Sequence, residues 1–515
     1  MIAGSFPEAI TMSELKPDAG SESVASPTGL PALEDRVRQD LAWLDVPAKS
    51  WIIPREHEGQ PVLEVAIIGA GMAGMTVATA LRFLGIPAVL FDRAPAGVEG
   101  PWVTTARMDT LRSPKQLAGP ALGVPSLTFR AWFEARFGLD AWEALDKIPR
   151  VQWMDYLRWY RHVLAPDVRN DHEVLRVEPR GDGLVALRIR TPVGEHTAYA
   201  RRVVIASGRD GIGGPYVPAI ANEIPRKFWA HSSDEMDYAL LAGKRVGVVG
   251  AGASAMDSAG TALECGAARV EMLIRRTEIP RVNKGKGAGN PGLVHGHVTL
   301  PDDWKWRIRH HINAAQVPPP RGSTLRVSQH PNVRFNMGCP IESIEVQGDA
   351  LRAHTPLGVF DLDFLIFSTG FKIDWSLRPE YGAFAPHVRA WKHAFAHPEG
   401  LDDIELSDSP YLGAAFELQD QEPGSCPGID RIHLFCYPAA LSHGTVSGDI
   451  PAISDGARRI AQGMAGLFYR EDIDAHFERL RQYDEPELLG DEIGDAQWVR
   501  TRAERDERER RGDEA

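Results

Sequence analysis

Cysteine is scarce in this 515-residue chain: there are four, Cys265, Cys339, Cys426 and Cys436, with no CxxC or similarly close pair. That scatter excludes a disulfide framework and zinc-type ligand spacing. No apolar run approaches the roughly 18 residues that span a bilayer, so no integral membrane segment is expected. The opening MIAGSFPEAITMSELKPDAGSESVASPTG lacks a basic stretch followed by an apolar one. It reads as a loosely docked lead-in rather than a signal peptide, and cytoplasmic residence is the default expectation. Positive charge is also in deficit. The net charge of −13 argues against nonspecific binding to nucleic acid or anionic membranes.

With 43% hydrophobic and 25% charged residues, the composition is that of a globular protein with two or three domains. Two glycine-rich fingerprints stand out. The first, VAIIGAGMAG, carries Gly69, Gly71 and Gly74 after a short β-branched run, and the next apolar run, PAVLFD, ends at Asp92. The second, RVGVVGAGASA, carries Gly250, Gly252, Ser254 and Ala255, and its next apolar run ends at Arg275-Arg276. In such a strand–turn–helix the first glycine makes the tight turn and the second admits a pyrophosphate to the backbone. The third position lets helix and strand pack closely. The helix N-terminus then faces the anion with unpaired N–H groups.

Both charged positions fall near the roughly 20 residues expected beyond the fingerprint. An acidic end suits a free ribose hydroxyl pair; a basic end suits a ribose bearing a 2′-phosphate. One GxGxxG is a weak signal, but two with complementary charges point to FAD at the first site and NADPH at the second. A flavoprotein that relays electrons through a dithiol needs a close cysteine pair, and none is present.

The strand RVVIASG (Arg202–Gly208) and the strand FLIFSTGF (Phe364–Phe371) both end in small-residue turns where backbone can cross between domains. The expected fold is therefore α/β, with two nested Rossmann-like dinucleotide-binding domains. The expected boundaries are 1–60 lead-in and helix, 61–235 and 361–490 FAD domain, 236–360 NADPH domain, and 491–515 charged tail. Residues 128–144 and 151–164 read as aromatic-rich helices whose Trp153, Tyr156 and Tyr160 recur at helical spacing, as in ordinary packing. Residues 281–325 are rich in glycine and basic groups and read as a loop over the nicotinamide or substrate. His295 and His297 in that stretch have no acidic or cysteine partner at ligand spacing, so no metal is expected. Gly448-Asp449-Ile450-Pro451 opens a helix whose N-terminus can face the flavin's pyrimidine carbonyl.

Taken in this order, the motifs resemble those of class B flavoprotein monooxygenases, related to flavin-containing, N-hydroxylating and Baeyer–Villiger enzymes. The resemblance covers about residues 61–470. Its most specific stretch is VVIASGRDGIGGPYVPAI followed by HSSDEMDYALLAGKRVGVVGAGASA. His231-Ser232 occupies the place of the family's histidine signature, whose upstream Phe and Gly positions hold Pro225 and Lys227 here. Gly100-Pro101-Trp102 is similar to the family's Gly-Gly-x-Trp loop beside the flavin. Arg107 and Asp109 resemble its Arg-x-Asp pair. The segment ARMDTLRSPK together with SHGTVSGDIP is similar to bacterial oxidoreductases acting on small nitrogen-containing metabolites.

The resemblance implies that NADPH reduces FAD, that O₂ gives a C4a-peroxyflavin, and that one oxygen passes to a small molecule. Oxygenation at N or S and insertion beside a carbonyl all stay open. The cofactor carries the hard chemistry, so few acid–base residues are needed. Arg107, Asp109 and His443 are the candidates for placing charge near the flavin, with Asn283 and Lys284 behind them. Each has a plainer reading: a surface ion pair between Arg107 and Asp109, a solvated loop, and a loop cap. An NAD(P)H oxidase or reductase and a non-catalytic FAD-bound sensor are the alternatives, and a homo-oligomer is left open.

Overall fold

The computed structural model describes residues 28–209 and 211–489; residues 1–27 of the lead-in and the charged tail at 491–515 lie outside the described residues. The described chain falls into two compact units, 28–466 and 467–489. The second carries the helix Ile473–Gln482. Everything that follows concerns the first.

Its first sheet has parallel strands in the order Asp167–Arg169, Ala88–Phe91, Leu63–Ile68, Gly194–Ile205 and Ile432–Leu434. The early part of the long strand Gly194–Ile205 pairs antiparallel with Val185–Thr191, which pairs with Glu173–Pro179. Central residues Val65, Ala66, Ile67, Val203, Val204 and Ile205 are fully buried, as a parallel sheet covered on both faces requires.

The second sheet is wholly parallel: Val333–Met337, Arg269–Ile274, Arg245–Val249, Phe364–Phe367 and Trp229–His231. A three-stranded meander, Ser343–Gln347, Ala350–Thr355 and Gly358–Leu362, precedes its strand Phe364–Phe367. The two sheets thus repeat one plan, in which a β-α-β unit and a meander lead to a strand laid beside the first. The chain leaves the first sheet after Ile205, builds the second, and re-enters the first at Ile432. The outgoing and returning passages run side by side as Gly213–Pro215 against Phe371–Ile373. An added Cβ at Gly213 would run into the Lys372 carbonyl, so glycine is required for this close crossing.

The aromatic helices are Phe129–Phe137, Leu139–Ala144 and Arg150–Leu164, with Gly138 at φ 87° dividing the first two. Phe129, Trp132, Trp142, Trp153, Tyr156 and Tyr160 are all buried against one another, so packing accounts for them.

Residues 281–325 correct the sequence reading. They form not a loop but a run of helices, Lys284–Ala288, Pro291–Gly296, Asp302–Ala315 and Arg321–Ser328. Asn283 and Asn290 cap the first two, each side chain accepting a backbone N–H at 3.0 Å. Trp306 anchors the insert in a core with Trp391, Leu406 and Leu441. Among the described residues no helix is long and apolar enough to cross a membrane.

Candidate functional site

Each fingerprint lies where its sheet's strand order reverses, the usual place for a ligand in an open α/β sheet. At the first, Gly69 has φ 102° and Gly71 begins the helix Met72–Phe83 with no side-chain cap. The N–H groups of that first turn are therefore open to an anion. Gly74 packs directly on the Gly69 carbonyl, and a Cβ there would collide with it. Asp92 sits beside this turn: its carboxylate accepts the Ala70 N–H at 2.7 Å and the Ala94 N–H at 2.8 Å. The carboxylate thus braces the turn.

The second fingerprint repeats the geometry. Gly250 has φ 126°, and Gly252 begins the helix Ala253–Glu264, again without a side-chain cap. Gly252 and Ser254 are exposed, whereas Ala255 is buried at the helix–strand contact. Arg275 and Arg276 follow the strand Arg269–Ile274 and are exposed. Neither guanidinium has an ion pair among the described residues, which leaves both free for an external anion. Both cradles fit a dinucleotide pyrophosphate, and their charged neighbours differ in sign as the sequence indicates.

The loop after the first fingerprint runs close to it. Gly100 Cα is 3.9 Å from where a Gly71 Cβ would stand, and Trp102 sits edge-on to Trp153 with ring centroids 6.3 Å apart. Arg150 pins this loop by donating to the Met108 carbonyl at 2.9 Å and to the Trp102 carbonyl. Burial and the nearby Arg107 charge lower the Arg150 pKa.

Arg107 and Asp109 are not paired with each other, so the surface ion pair is not formed. Arg107 lies over the Tyr238 ring at 5.4 Å, and Asp109 meets Arg326 at 3.4 Å. Arg326 also donates to the Arg107 carbonyl at 3.0 Å and to Glu264 at 2.6 Å. The two residues thus join the loop to elements of the second sheet's half.

Asp449 is exposed just ahead of the helix Ile453–Glu471, and Arg112 has Asp257, Arg209 and Asp449 as its charged neighbours. His443 is 1% exposed, stacked on Phe416 with centroids 3.6 Å apart, and its Nε2 donates to the Gly413 carbonyl at 2.9 Å. Burial lowers its pKa to about 3. Such an imidazole is neutral and packed away. Asn283 is spent as a helix cap, and Lys284 is exposed. His297 is buried and bonded to the Leu441 carbonyl, while His295 is exposed. His231 is buried too, its ring bonded to the Ser233 hydroxyl at 2.7 Å.

Comparison with known proteins bears on this geometry. A FAD-dependent urate hydroxylase of Xanthomonas campestris pv. campestris is 38% identical over 466 residues, spanning 90% of this chain and 98% of the relative. The chain belongs to the class B flavoprotein monooxygenases. Residues 138–306 of the monooxygenase match the family described as L-lysine 6-monooxygenase/L-ornithine 5-monooxygenase. Its fold is shared with an ornithine N-hydroxylase of Kutzneria sp. 744, at 19% identity and TM-score 0.61, over 79% of this chain and 100% of that one. An L-lysine 6-monooxygenase from Pseudomonas syringae aligns at 18% identity and TM-score 0.60, over 78% and 99%.

Sequence reasoning missed two groups that order the site of this monooxygenase, Arg150 and Arg326. Each lies far along the chain from the loop it holds, and neither belongs to a motif.

Proposed function

We propose that this flavoprotein monooxygenase is an NADPH-consuming, FAD-dependent hydroxylase of a small, oxidised purine of the urate type. The paired cradles with charges of opposite sign carry the cofactor assignment: FAD on the fingerprint of Gly69, Gly71 and Gly74, NADPH on that of Gly250 and Gly252. The second domain is then inserted within the first, in keeping with the return of the chain at Ile432. The substrate class draws on the urate hydroxylase relative, whose match runs nearly the full length of both chains. A cytoplasmic setting, where thiols stay reduced, suits four free cysteines.

The chemistry FAD supplies when bound is acceptance of a hydride from NADPH and activation of O₂. The chain's own residues bind and orient. The uncapped helix starts at Gly71 and Gly252 hold pyrophosphates, and Asp92 holds the ribose while fixing the turn. Arg275 and Arg276 hold the 2′-phosphate by charge-assisted hydrogen bonds. The Gly100-Pro101-Trp102 loop, pinned by Arg150 beside the first fingerprint, would help hold FAD and exclude water. Arg107, Asp109 and Arg326 keep the two halves in register for hydride transfer.

The test is NADPH consumption with and without urate, with peroxide measured in parallel and ¹⁸O₂ as the oxygen source. Urate-dependent consumption, label in the organic product and little peroxide are expected. Consumption matched by peroxide and indifferent to urate would instead support an oxidase.

A further inference from the structure

The two sheets end alike beside their fingerprints. The Ala206 N–H donates to the Ile68 carbonyl at 2.9 Å, and the Ser368 N–H donates to the Val249 carbonyl at the same distance. Ala206 and Ser368 are therefore counterparts, each lying against the turn glycine of its own cradle, Gly69 or Gly250. The residues that follow, Ser207 and Thr369, are counterparts too, and both hydroxyls bond to the chain itself. Ser207 donates to the Gly211 carbonyl at 3.3 Å, and Thr369 to the Tyr216 carbonyl. On the helices, Ala73 of the first cradle corresponds to Ser254 of the second. The second cradle thus carries two hydroxyls where the first carries two methyl groups.

Ser254 is exposed on the first turn of its helix. Ser368 is not. It is 9% exposed, and its Oγ is buried without a hydrogen bond among the described residues. A hydroxyl buried unpaired destabilises a fold, and the alanine at this place in the first sheet avoids that cost. The missing partner therefore has to come from outside the chain.

Strand alternation gives the direction of the side chain. Ile366 packs in the core that holds Ala255 and Met256 of the helix Ala253–Glu264, and Phe367 packs on the opposite face with Leu351 and Leu362. Ser368 is still bonded in register to Val249, so its side chain returns to the helix face, where the uncapped turn at Gly252 begins.

Strand order gives its flank. The strand Arg245–Val249 lies between Arg269–Ile274 and Phe364–Phe367. Arg275 and Arg276 follow one neighbour, and Ser368 follows the other. A dinucleotide whose pyrophosphate rests on the helix start between them reaches one flank with each half. With the 2′-phosphate on the arginines, the nicotinamide half lies on the side of Ser368.

We propose that Ser368 binds the nicotinamide half of the cofactor, its hydroxyl donating to a phosphoryl oxygen on that side of the pyrophosphate. This rests on the NADPH reading above and concerns the half of the cofactor that Arg275 and Arg276 do not reach. Ala206 leaves the FAD cradle without such a contact.

The experiment uses the FAD-loaded full chain and calorimetric titration with NADP⁺ and with 2′,5′-ADP, which keeps the 2′-phosphate and lacks the nicotinamide half. Ser368→Ala is expected to weaken NADP⁺ binding by about 10- to 100-fold, the loss of one hydrogen bond to a charged group. Its affinity for 2′,5′-ADP stays within about twofold of the parent, and its FAD content is unchanged. The Tm of the variant without NADP⁺ rises, because an unpaired buried hydroxyl has been removed. Arg275→Ala weakens both ligands and checks the NADPH reading itself. NADP⁺ affinity within about twofold of the parent overturns the proposal, and so does an equal loss of NADP⁺ and 2′,5′-ADP. A lower Tm of the ligand-free variant also overturns it, since the hydroxyl then serves the fold. If the parent binds NAD⁺ and not NADP⁺, the 2′-phosphate reading fails alone. Weaker NAD⁺ binding by Ser368→Ala with AMP binding unchanged then sustains the place of the hydroxyl, and a parent that binds neither dinucleotide overturns both.

Discussion

Gly69 lies so close to Ala206 that an added Cβ would stand 2.7 Å from the Ala206 carbonyl oxygen. Gly250 repeats the relationship with Ser368 at 2.6 Å. Both glycines hold φ in the left-handed half of the map, at 102° and 126°. Each sheet therefore opens between its first strand and the strand laid beside it, and only a residue without a side chain lets the chain turn there. Two open glycine turns follow from one local solution used twice.

Gly74 tests the first cradle. Its Cα packs on the Gly69 carbonyl, so Gly74→Ala forces the helix Met72–Phe83 away from its strand, at about 1–3 kcal/mol for such overpacking. FAD retention is expected to drop by about tenfold, as 1.4 kcal/mol or more of lost binding gives. The flavin-to-protein absorbance ratio of purified variant reads this directly. A fully yellow variant with an unchanged melting temperature would contradict it.

Arg275 tests the second. With no partner in the described chain, its charge is free for the 2′-phosphate, and Arg275→Ala should lower kcat/KM for NADPH by about 10- to 100-fold. The value for NADH should hardly move, because that cofactor lacks the phosphate. Adding Arg276→Ala should erase the preference. Equal losses with both cofactors would show that the arginines act elsewhere.

His443 gives a pH signature in stability. Its folded pKa is about 3 against an ordinary value of 6.5, because burial opposes the charged ring. Between those values the unfolded chain binds a proton that the folded chain does not. Stability is thus fully present above pH 6.5 and falls as pH drops toward 3, by up to about 1.4 kcal/mol per pH unit for each such group. His433, also lowered to about 3, adds to the slope. His443→Gln keeps a donor for the Gly413 carbonyl and removes one titrating group, so denaturant melts between pH 5 and 7.5 should show a slope shallower than the parent's by up to about one proton. The pH–rate profile should keep its shape. Loss of a limb in that profile would place the imidazole in turnover instead of in packing.

The parts of the site that were legible in advance are those written in contiguous segments. A strand, a glycine turn and an uncapped helix lie within some twenty residues, and a charged residue follows at the end of the next strand. The helical insert was not legible. Its helices begin at Asn and Pro, and its main anchor is Trp306, whose partners Trp391, Leu406 and Leu441 come much later in the chain. Arg107 and Asp109 misled by proximity: two residues apart on an irregular loop, their side chains diverge to Tyr238 and Arg326.

Local sequence, then, determined that two glycine turns open onto uncapped helix starts and which charge accompanies each, because backbone turns and helix starts depend on residues a few positions apart. Packing decided the rest. Whether a charge is free or braced depends on what distant segments bring to it. That is why Asp92 serves its own turn and Arg326 ties a loop to another half.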